Sequence, residues 1–369
     1  MTPQVGLIQR RDGTYRWHIL QIDIVLLVCC ICLYVYSSLV LYSASGESYD
    51  MVFNHSINFC ISLCAMIFVA QINVRSYKHF IPVFYVLSIF LLIILMLVGD
   101  SNMGATRWLD LGIIRLQPSE IIKFIVPMAI IWSVSRNKLP PSPTHLCIYM
   151  CLILVPVILV INQPDLGTAI IISMSGFFVL FLAGISYKFI TMLLAVAIAS
   201  IPILWKFVLL EYQKNRIINL FNPEYDTLGS GWNIIQSKIA VGSGGLYGKG
   251  WLHGTQSHLN FLPESHTDFI LSVLAEEFGL LGILALLLIY LIMLVRILLI
   301  SVHGDSTFEK LLSGSILMVF FSYIFINISM VTGILPVVGV PLPLFSYGGS
   351  SMLSLMFVLG ILMSINANK

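Results

Sequence analysis

Phe261-Leu-Pro-Glu-Ser-His-Thr-Asp-Phe-Ile270 joins a long polar segment to an apolar run that passes Glu276-Glu277 and continues to Leu294. Acidic, hydroxyl and imidazole groups arrive together at the mouth of a run long enough to cross a bilayer as a helix. The pattern places Asp268 about one turn inside that helix. A carboxylate at the edge of a hydrocarbon layer is costly unless it is paired, hydrated or neutralised. Asp268 is therefore a candidate for chemistry, with His266 and Thr267 beside it. The other reading is a first-turn charge that suits the helix dipole.

Similar apolar runs recur along the chain. Of its 369 residues, 58% are hydrophobic and 10% charged. These values define a polytopic membrane protein, not a soluble domain with a large core. Runs of roughly 17 to 25 residues read as spanning helices. They fall at Ile24–Tyr42, Ile57–Ile72, Ile81–Val98, Pro118–Val134, His145–Ile161, Gly167–Ile185, Phe189–Leu209, Asp268–Leu294, Leu311–Met330 and Ser351–Ile365. The expected fold is thus all-α, with about ten transmembrane helices in a single integral membrane domain over 1–369. The first run is expected to stay as an anchor, because no small-residue cleavage site follows it. Cys29, Cys30, Cys32, Cys60, Cys64, Cys147 and Cys151 all fall in apolar runs and read as small apolar side chains, neither disulfides nor ligands. No metal-ligand spacing is visible, and no basic stretch suggests nucleic acid.

Basic residues near the helix ends set the orientation. One set of connections holds Arg10, Arg11, Arg16, Arg75, Lys78, Arg136, Lys138, Lys188, Arg296, Lys310 and Lys369; the other holds Arg107, Arg115, Lys214, Arg216, Lys238 and Lys249. Eleven against six puts the first set in the cytoplasm and leaves both termini there. One large loop, about 211–267, then faces the periplasm. Within it Trp232–Ala240 has the spacing of a short interfacial helix, with Ile234, Ile235 and Ile239 as its apolar side.

The other polar clusters share that side. Gly104-Ala-Thr-Arg-Trp-Leu-Asp-Leu-Gly112 leads through Arg115 to Pro118-Ser-Glu-Ile-Ile-Lys123. Pro118 suits a first helical turn. Glu120 and Lys123 stand three apart on one helix face. They either brace the fold as an ion pair, or Lys123 also meets an anionic ligand. Arg107 and Trp108 read as ligand contacts or as an interfacial anchor. Asp165 precedes the helix near Gly167 and reads as a site residue or a cap. The stretch from Gly333 to Ser350 has no charge and is rich in Gly and Pro, so it must pack in protein or line a wet cavity. Its Gly348 and Gly349 amides, with the hydroxyls of Ser346, Ser350 and Ser351, can cradle an anion. A packed re-entrant turn is the other reading. The helix centres are nearly free of polar groups, whereas a transporter usually places them near mid-membrane. The asymmetry favours a reaction at the outer surface, in which cations hold a phosphate and a lone carboxylate acts as base.

Five motifs also resemble those of the SEDS family (shape, elongation, division and sporulation proteins). They are Arg107-Trp-Leu-Asp-Leu-Gly112, Gln117-Pro-Ser-Glu-Ile-Ile-Lys123, Gln163-Pro-Asp-Leu-Gly-Thr168, Pro263-Glu-Ser-His-Thr-Asp-Phe269 and Pro343-Leu-Phe-Ser-Tyr-Gly-Gly-Ser-Ser351. They occur in the family's order, and Gly250-Trp-Leu-His-Gly-Thr-Gln-Ser257 looks more like its elongation branch than its division branch. The resemblance implies a multi-pass protein of the bacterial inner membrane. It implies a peptidoglycan glycosyltransferase that polymerises lipid II into β-1,4-linked glycan on the periplasmic face during cell elongation. It also implies a class B penicillin-binding protein (transpeptidase) and the elongation machinery as partners. Asp268 matches the family's catalytic base; Arg107, Trp108, Glu120, Lys123 and Asp165 match positions that line or brace the cavity beside it. Charge on the leaving pyrophosphate would be met by Arg107 and Lys123, with Lys238, Lys249 or a divalent cation (Mg or Mn) as further candidates. The competing readings are a flippase for the lipid-linked precursor and a non-catalytic scaffold for the transpeptidase.

Overall fold

The structure is a computed structural model and describes residues 8–9, 15–16, 21–98, 100–102, 105–110, 115–137, 139–226, 229–258, 261–262 and 264–367. Arg10, Arg11, Lys138, Pro263 and Lys369 lie outside the described residues. So do the side chains of Arg16, Arg75, Arg107, Trp108, Arg115 and Ser257.

Each of the ten apolar runs folds as a helix: α1 Ile24–Ala44, α2 Tyr49–Ala70, α3 Val74–Val98, α4 Pro118–Val134, α5 Pro143–Ile161, α6 Leu166–Leu182, α7 Tyr187–Ile203 and, after three further helices, α11 Ile270–Val302, α12 Thr307–Val331 and α13 Gly349–Ala367. Eight are long and apolar enough to cross a membrane. The other two, α4 and α6, have 17 residues each, about 25 Å of helix. The run beginning at Ile57 belongs to a longer helix than its apolar part suggests, because Ser48 caps α2 at Met51 and draws Asp50, Asn54, His55 and Ser56 into it. Helix starts follow local chemistry elsewhere too. Asp23 accepts from the amides of Val25 and Leu26, and Ser306 with Glu309 forms a capping box on α12. Between α3 and α4, three short antiparallel strands, β3 Asp100–Asn102, β4 Ala105–Asp110 and β5 Arg115–Leu116, pair in chain order. An earlier pair, β1 Ile8–Gln9 and β2 Tyr15–Arg16, precedes α1.

Burial decides what is central. In α12, 72% of the apolar window is buried, in α13 61% and in α7 none. The bundle is therefore built around α12 and α13, with α2 against α13, and with α6 and α11 against α12. At one end, Asp23 ties three helices together. Its Oδ2 accepts from Arg296 of α11 (Nη2, 2.7 Å) and Asn366 of α13 (Nδ2, 2.9 Å).

The opposite end carries α8 Glu211–Phe221, α9 Ser230–Ser243 and α10 Thr255–His258. The expected helix over 232–240 exists as α9, but it turns a different face inward. Ile234, Ser237 and Ala240 are buried, and Ile239 is exposed. The Ser237 hydroxyl donates to the Val331 carbonyl at the end of α12 (2.8 Å). Gly244, just past α9, packs on the Ala275 carbonyl of α11. Small residues let α9 lie close on two helices, and this outweighs the apolar stripe.

α11 begins at Ile270, so Asp268 precedes the helix instead of sitting a turn inside it. The helix is also broken at Gly279, whose φ of 64° and ψ of −159° only glycine adopts readily. The backbone groups this frees are taken by the segment after α9. The amides of Lys249 and Gly250 donate to the carbonyls of Glu276 and Glu277, and those of Leu280 and Leu281 donate to the carbonyls of Gly245 and Leu246.

Candidate active site

Asp268 lies in a turn, 264–269, held by its own backbone. The Phe269 amide donates to the Glu264 carbonyl (3.2 Å). The α11 N-cap is Phe269, with no side-chain cap bond. Two outside groups fix this turn. The Tyr347 amide donates to the His266 carbonyl at 3.1 Å. Asn327 of α12 donates from Nδ2 to the Asp268 carbonyl (3.0 Å) and to the Val340 carbonyl (2.8 Å). Asp268 itself is half-buried, and its Oδ2 lies beside Gly339. A Cβ added at Gly339 would stand 3.4 Å from that oxygen, and the φ there, +75°, favours glycine. Thr267 gives its hydroxyl to Glu264 Oε2 (2.7 Å). The His266 ring meets Tyr347 edge-on.

The same stretch reaches the start of α6. Gly167 packs on the Val338 carbonyl, too closely for any side chain. Asp165 caps α6, accepting from the amide and hydroxyl of Thr168 (3.2 and 2.8 Å). The segment 338–340 therefore lies between the Asp165 turn and the Asp268 turn.

Lys123 is buried in the first turns of α4. Its Nζ donates to Glu120 Oε1 (2.5 Å) and to the Tyr323 hydroxyl (2.7 Å). Tyr323 and Asn327 are four apart on α12, so they share a face about one turn, ~5–6 Å, apart. Lys123 and the Asp268 backbone are thus registered along one helix. Neither Tyr323 nor Asn327 stood out in the sequence. The available signal was an amide inside an apolar run, which is costly without partners. Asn327 and His55 are both fully buried, and each lies near an end of its helix and not at its centre.

Other candidates separate from this cluster or serve as braces. Lys249 pairs with Glu276 Oε1 (2.6 Å) and donates to Thr255 Oγ1 (3.0 Å). That carboxylate also accepts from the Thr255 amide and hydroxyl and from the Gln256 amide, so Lys249 helps fasten α10 to α11. Lys238 is exposed and lies over Gly333, at the end of α12. Ser346 is buried and accepts from the Leu342 amide (2.8 Å), which closes the re-entrant turn. That turn is further tied by Tyr290 to the Pro343 carbonyl and by Ser37 to the Phe345 carbonyl. Gly349 starts α13 directly against Asn58 of α2, Gly348 has Ser351 as its near neighbour, and Ser351 is half-buried in the first turn of α13. β4 carries Arg107 and Trp108 on the connection leading to α4.

Fold and site define a polytopic membrane protein whose candidate residues Lys123, Asp165 and Asp268 lie at one end of the bundle. The chain belongs to the SEDS family: the model of the FtsW/RodA/SpoVE cell cycle proteins matches residues 17–369. It is similar to the peptidoglycan glycosyltransferase MrdB of Escherichia coli K12, with 48% identity over 353 residues, covering 96% of this chain and 95% of that one. Among solved structures, it matches a chain of a peptidoglycan synthase complex that coordinates polymerization and crosslinking. There the TM-score is 0.81 at 26% identity, over 95% of this chain and 98% of that one. The rod shape determining protein RodA of Thermus thermophilus shares the fold, with a TM-score of 0.71 at 23% identity over 95% and 97%.

Proposed function

We propose that this protein is a glycosyltransferase that polymerises lipid II into β-1,4-linked glycan, with Asp268 as general base. The observation that carries the reading is a half-buried carboxylate at the head of α11, set apart from the N-cap and braced from α12. The similarity to a named peptidoglycan glycosyltransferase supplies the substrate class.

In this mechanism the 4-hydroxyl of the acceptor sugar gives its proton to Asp268 while its oxygen attacks the anomeric carbon of the donor. The bond from that carbon to the pyrophosphate breaks, and the lipid pyrophosphate leaves with the electron pair. The donor linkage is α and the product β, so one displacement from the opposite face suffices, as in inverting glycosidases. Pyrophosphate needs charge stabilisation more than a proton donor. Lys123 and Arg107 supply it in this reading, with Lys238 at the rim and Trp108 against the sugar. Lys249, bound to Glu276, contributes by holding the loop. His266, Thr267 and Ser351 line the approach. A divalent cation, magnesium or manganese, would be held by the pyrophosphate itself and would add to its charge stabilisation; among the described residues no three His, Cys, Asp or Glu side chains converge to hold one. Chelation should then lower polymer yield and readdition restore it, and unchanged yield in EDTA removes the ion from the scheme.

The setting in this reading is the bacterial inner membrane, with the Asp268 end of the bundle in the periplasm. A class B penicillin-binding protein and the elongation machinery work alongside. The test is purified protein with labelled lipid II in detergent, where no sides exist. Polymer is expected; a flippase or a scaffold gives none. Asp268→Asn should lose about 10²–10⁴ in rate while folding is retained, because a neutral amide costs less near lipid than a carboxylate. Near wild-type polymerisation by that variant would remove Asp268 from the mechanism.

A further inference from the structure

Asp268 has no regular structure of its own to hold it. It belongs to a turn, and the helix that follows starts two residues later. A base displaced by about 1 Å can lose 10²-fold in rate, so something outside the turn must fix it. The Asn327 side chain binds the Asp268 carbonyl. That side chain is fully buried and sits on α12, the most enclosed of the candidate spans.

The Asn327 amide group has two protons, and both are used. One goes to the Asp268 carbonyl and one to the Val340 carbonyl. Val340 follows Gly339, whose α-carbon faces the Asp268 carboxylate. Asn327 thus fixes the gap between the backbone that bears the carboxylate and the backbone that walls it. No aliphatic residue of similar size can do this, and a side chain with one donor can hold only one of the two strands. The Asn327 Oδ1 is buried and has no hydrogen-bond partner among the described residues. Leaving such an atom unpaired costs about 1–3 kcal/mol. A residue kept here for packing alone would not need that oxygen. One turn away on the same helix, Tyr323 holds Lys123.

We propose that Asn327 is a positioning residue for the transfer reaction. It sets the place of Asp268 against the 339–340 wall and, through the shared face of α12, against Lys123. The proposal rests on the assignment of Asp268 as the base. Asn327 does not touch the reacting atoms, so its loss slows the chemical step and leaves substrate affinity alone.

The experiment compares kcat and KM of the purified full chain for wild type, Asn327→Leu, Asn327→Ser and Asp268→Asn. Each is normalised to the folded fraction measured by size exclusion and thermal unfolding. Asn327→Leu removes both bonds and should lower kcat about 10²-fold with KM within about twofold. Asn327→Ser keeps one donor and should fall between, at about 10-fold. If Asn327→Leu does not fold, Asn327→Ser decides by the same criterion. A kcat within twofold of wild type per folded molecule, alongside an inactive Asp268→Asn, overturns the positioning role while the base assignment stands. A loss expressed mainly in KM, or only in the folded fraction, also overturns it. An active Asp268→Asn instead marks failure of the base assignment itself.

Discussion

Lys123 sits where an ammonium is expensive. Its side chain is 2% exposed, and it has one carboxylate and one phenol as partners. Attraction inside the protein offsets the desolvation cost only when the geometry is good, and breaking such a pair leaves the other charge stranded. Lys123→Ala should therefore lower stability by about 3–5 kcal/mol, read as thermal unfolding in detergent. Exchanging the charges, Glu120→Lys with Lys123→Glu, distinguishes brace from ligand contact. The Tyr323 hydroxyl can accept from an ammonium or donate to a carboxylate, so it serves either arrangement. The exchanged protein should fold and should fail to polymerise; restored polymer would show that the pair only braces. The two charges were legible from their spacing of three on one helix. Tyr323 was not, because its partner is on another helix and no local pattern marks it. Asn327 carried a signal, an amide inside an apolar run, but its partners are likewise on other segments. Asp268 was legible because it stands where polar sequence meets apolar sequence. Its place two residues before the helix was not, since the start of α11 is fixed by backbone bonds to Glu264 and not by a capping side chain.

At the level of elements, the break in α11 has no signature stronger than one glycine in an apolar run, and such glycines are often tolerated in a continuous helix. What breaks the helix is the neighbouring segment, which supplies donors and acceptors for the four freed groups. A Cβ at Gly279 would meet the Gly248 amide nitrogen and the Leu246 carbonyl. Gly279→Ala should cost about 1–3 kcal/mol from backbone strain alone, more where the segment is pushed away, with a lower unfolding temperature. An unshifted unfolding temperature would show that the clamp is dispensable. The inward face of α9 was misread for a related reason. Hydrophobicity predicts which side avoids water, while Ser237, Ala240 and Gly244 are inside because they are small and can bond or nest against backbone.

For the molecule as a whole, ten apolar runs were enough to read a ten-helix bundle, because hydrocarbon thickness sets helix length. Their order of burial was not readable, since every run is apolar on all sides. The graded burial from α12 to α7 needs the tertiary packing. Orientation in the membrane is a prediction from the charge bias. A cysteine at Gly242, which is exposed with open space around it, in a background lacking the seven native cysteines, should react with an impermeant thiol reagent in intact spheroplasts. A cysteine at Asp305, exposed at the opposite end, should react only after the membrane is opened. The reverse pattern would invert the proposed topology.

The break at Gly279 also sets a depth. Before it, residues 270–277 of α11 are all buried; after it, Leu280, Leu281, Leu284, Leu288 and Leu291 are exposed in the manner of a lipid-facing surface. The part from Leu280 to Val302 is about 34 Å long, which matches the hydrocarbon layer by itself. The residues before Gly279 run inside the bundle to Asp268, whose carbonyl Asn327 of α12 holds. Asp268 therefore stands level with the last turns of α12, at the end of the bundle. In the proposed reading, a lipid-linked sugar reaches it with its tail still in the bilayer, and a lengthening strand leaves at that end of the bundle.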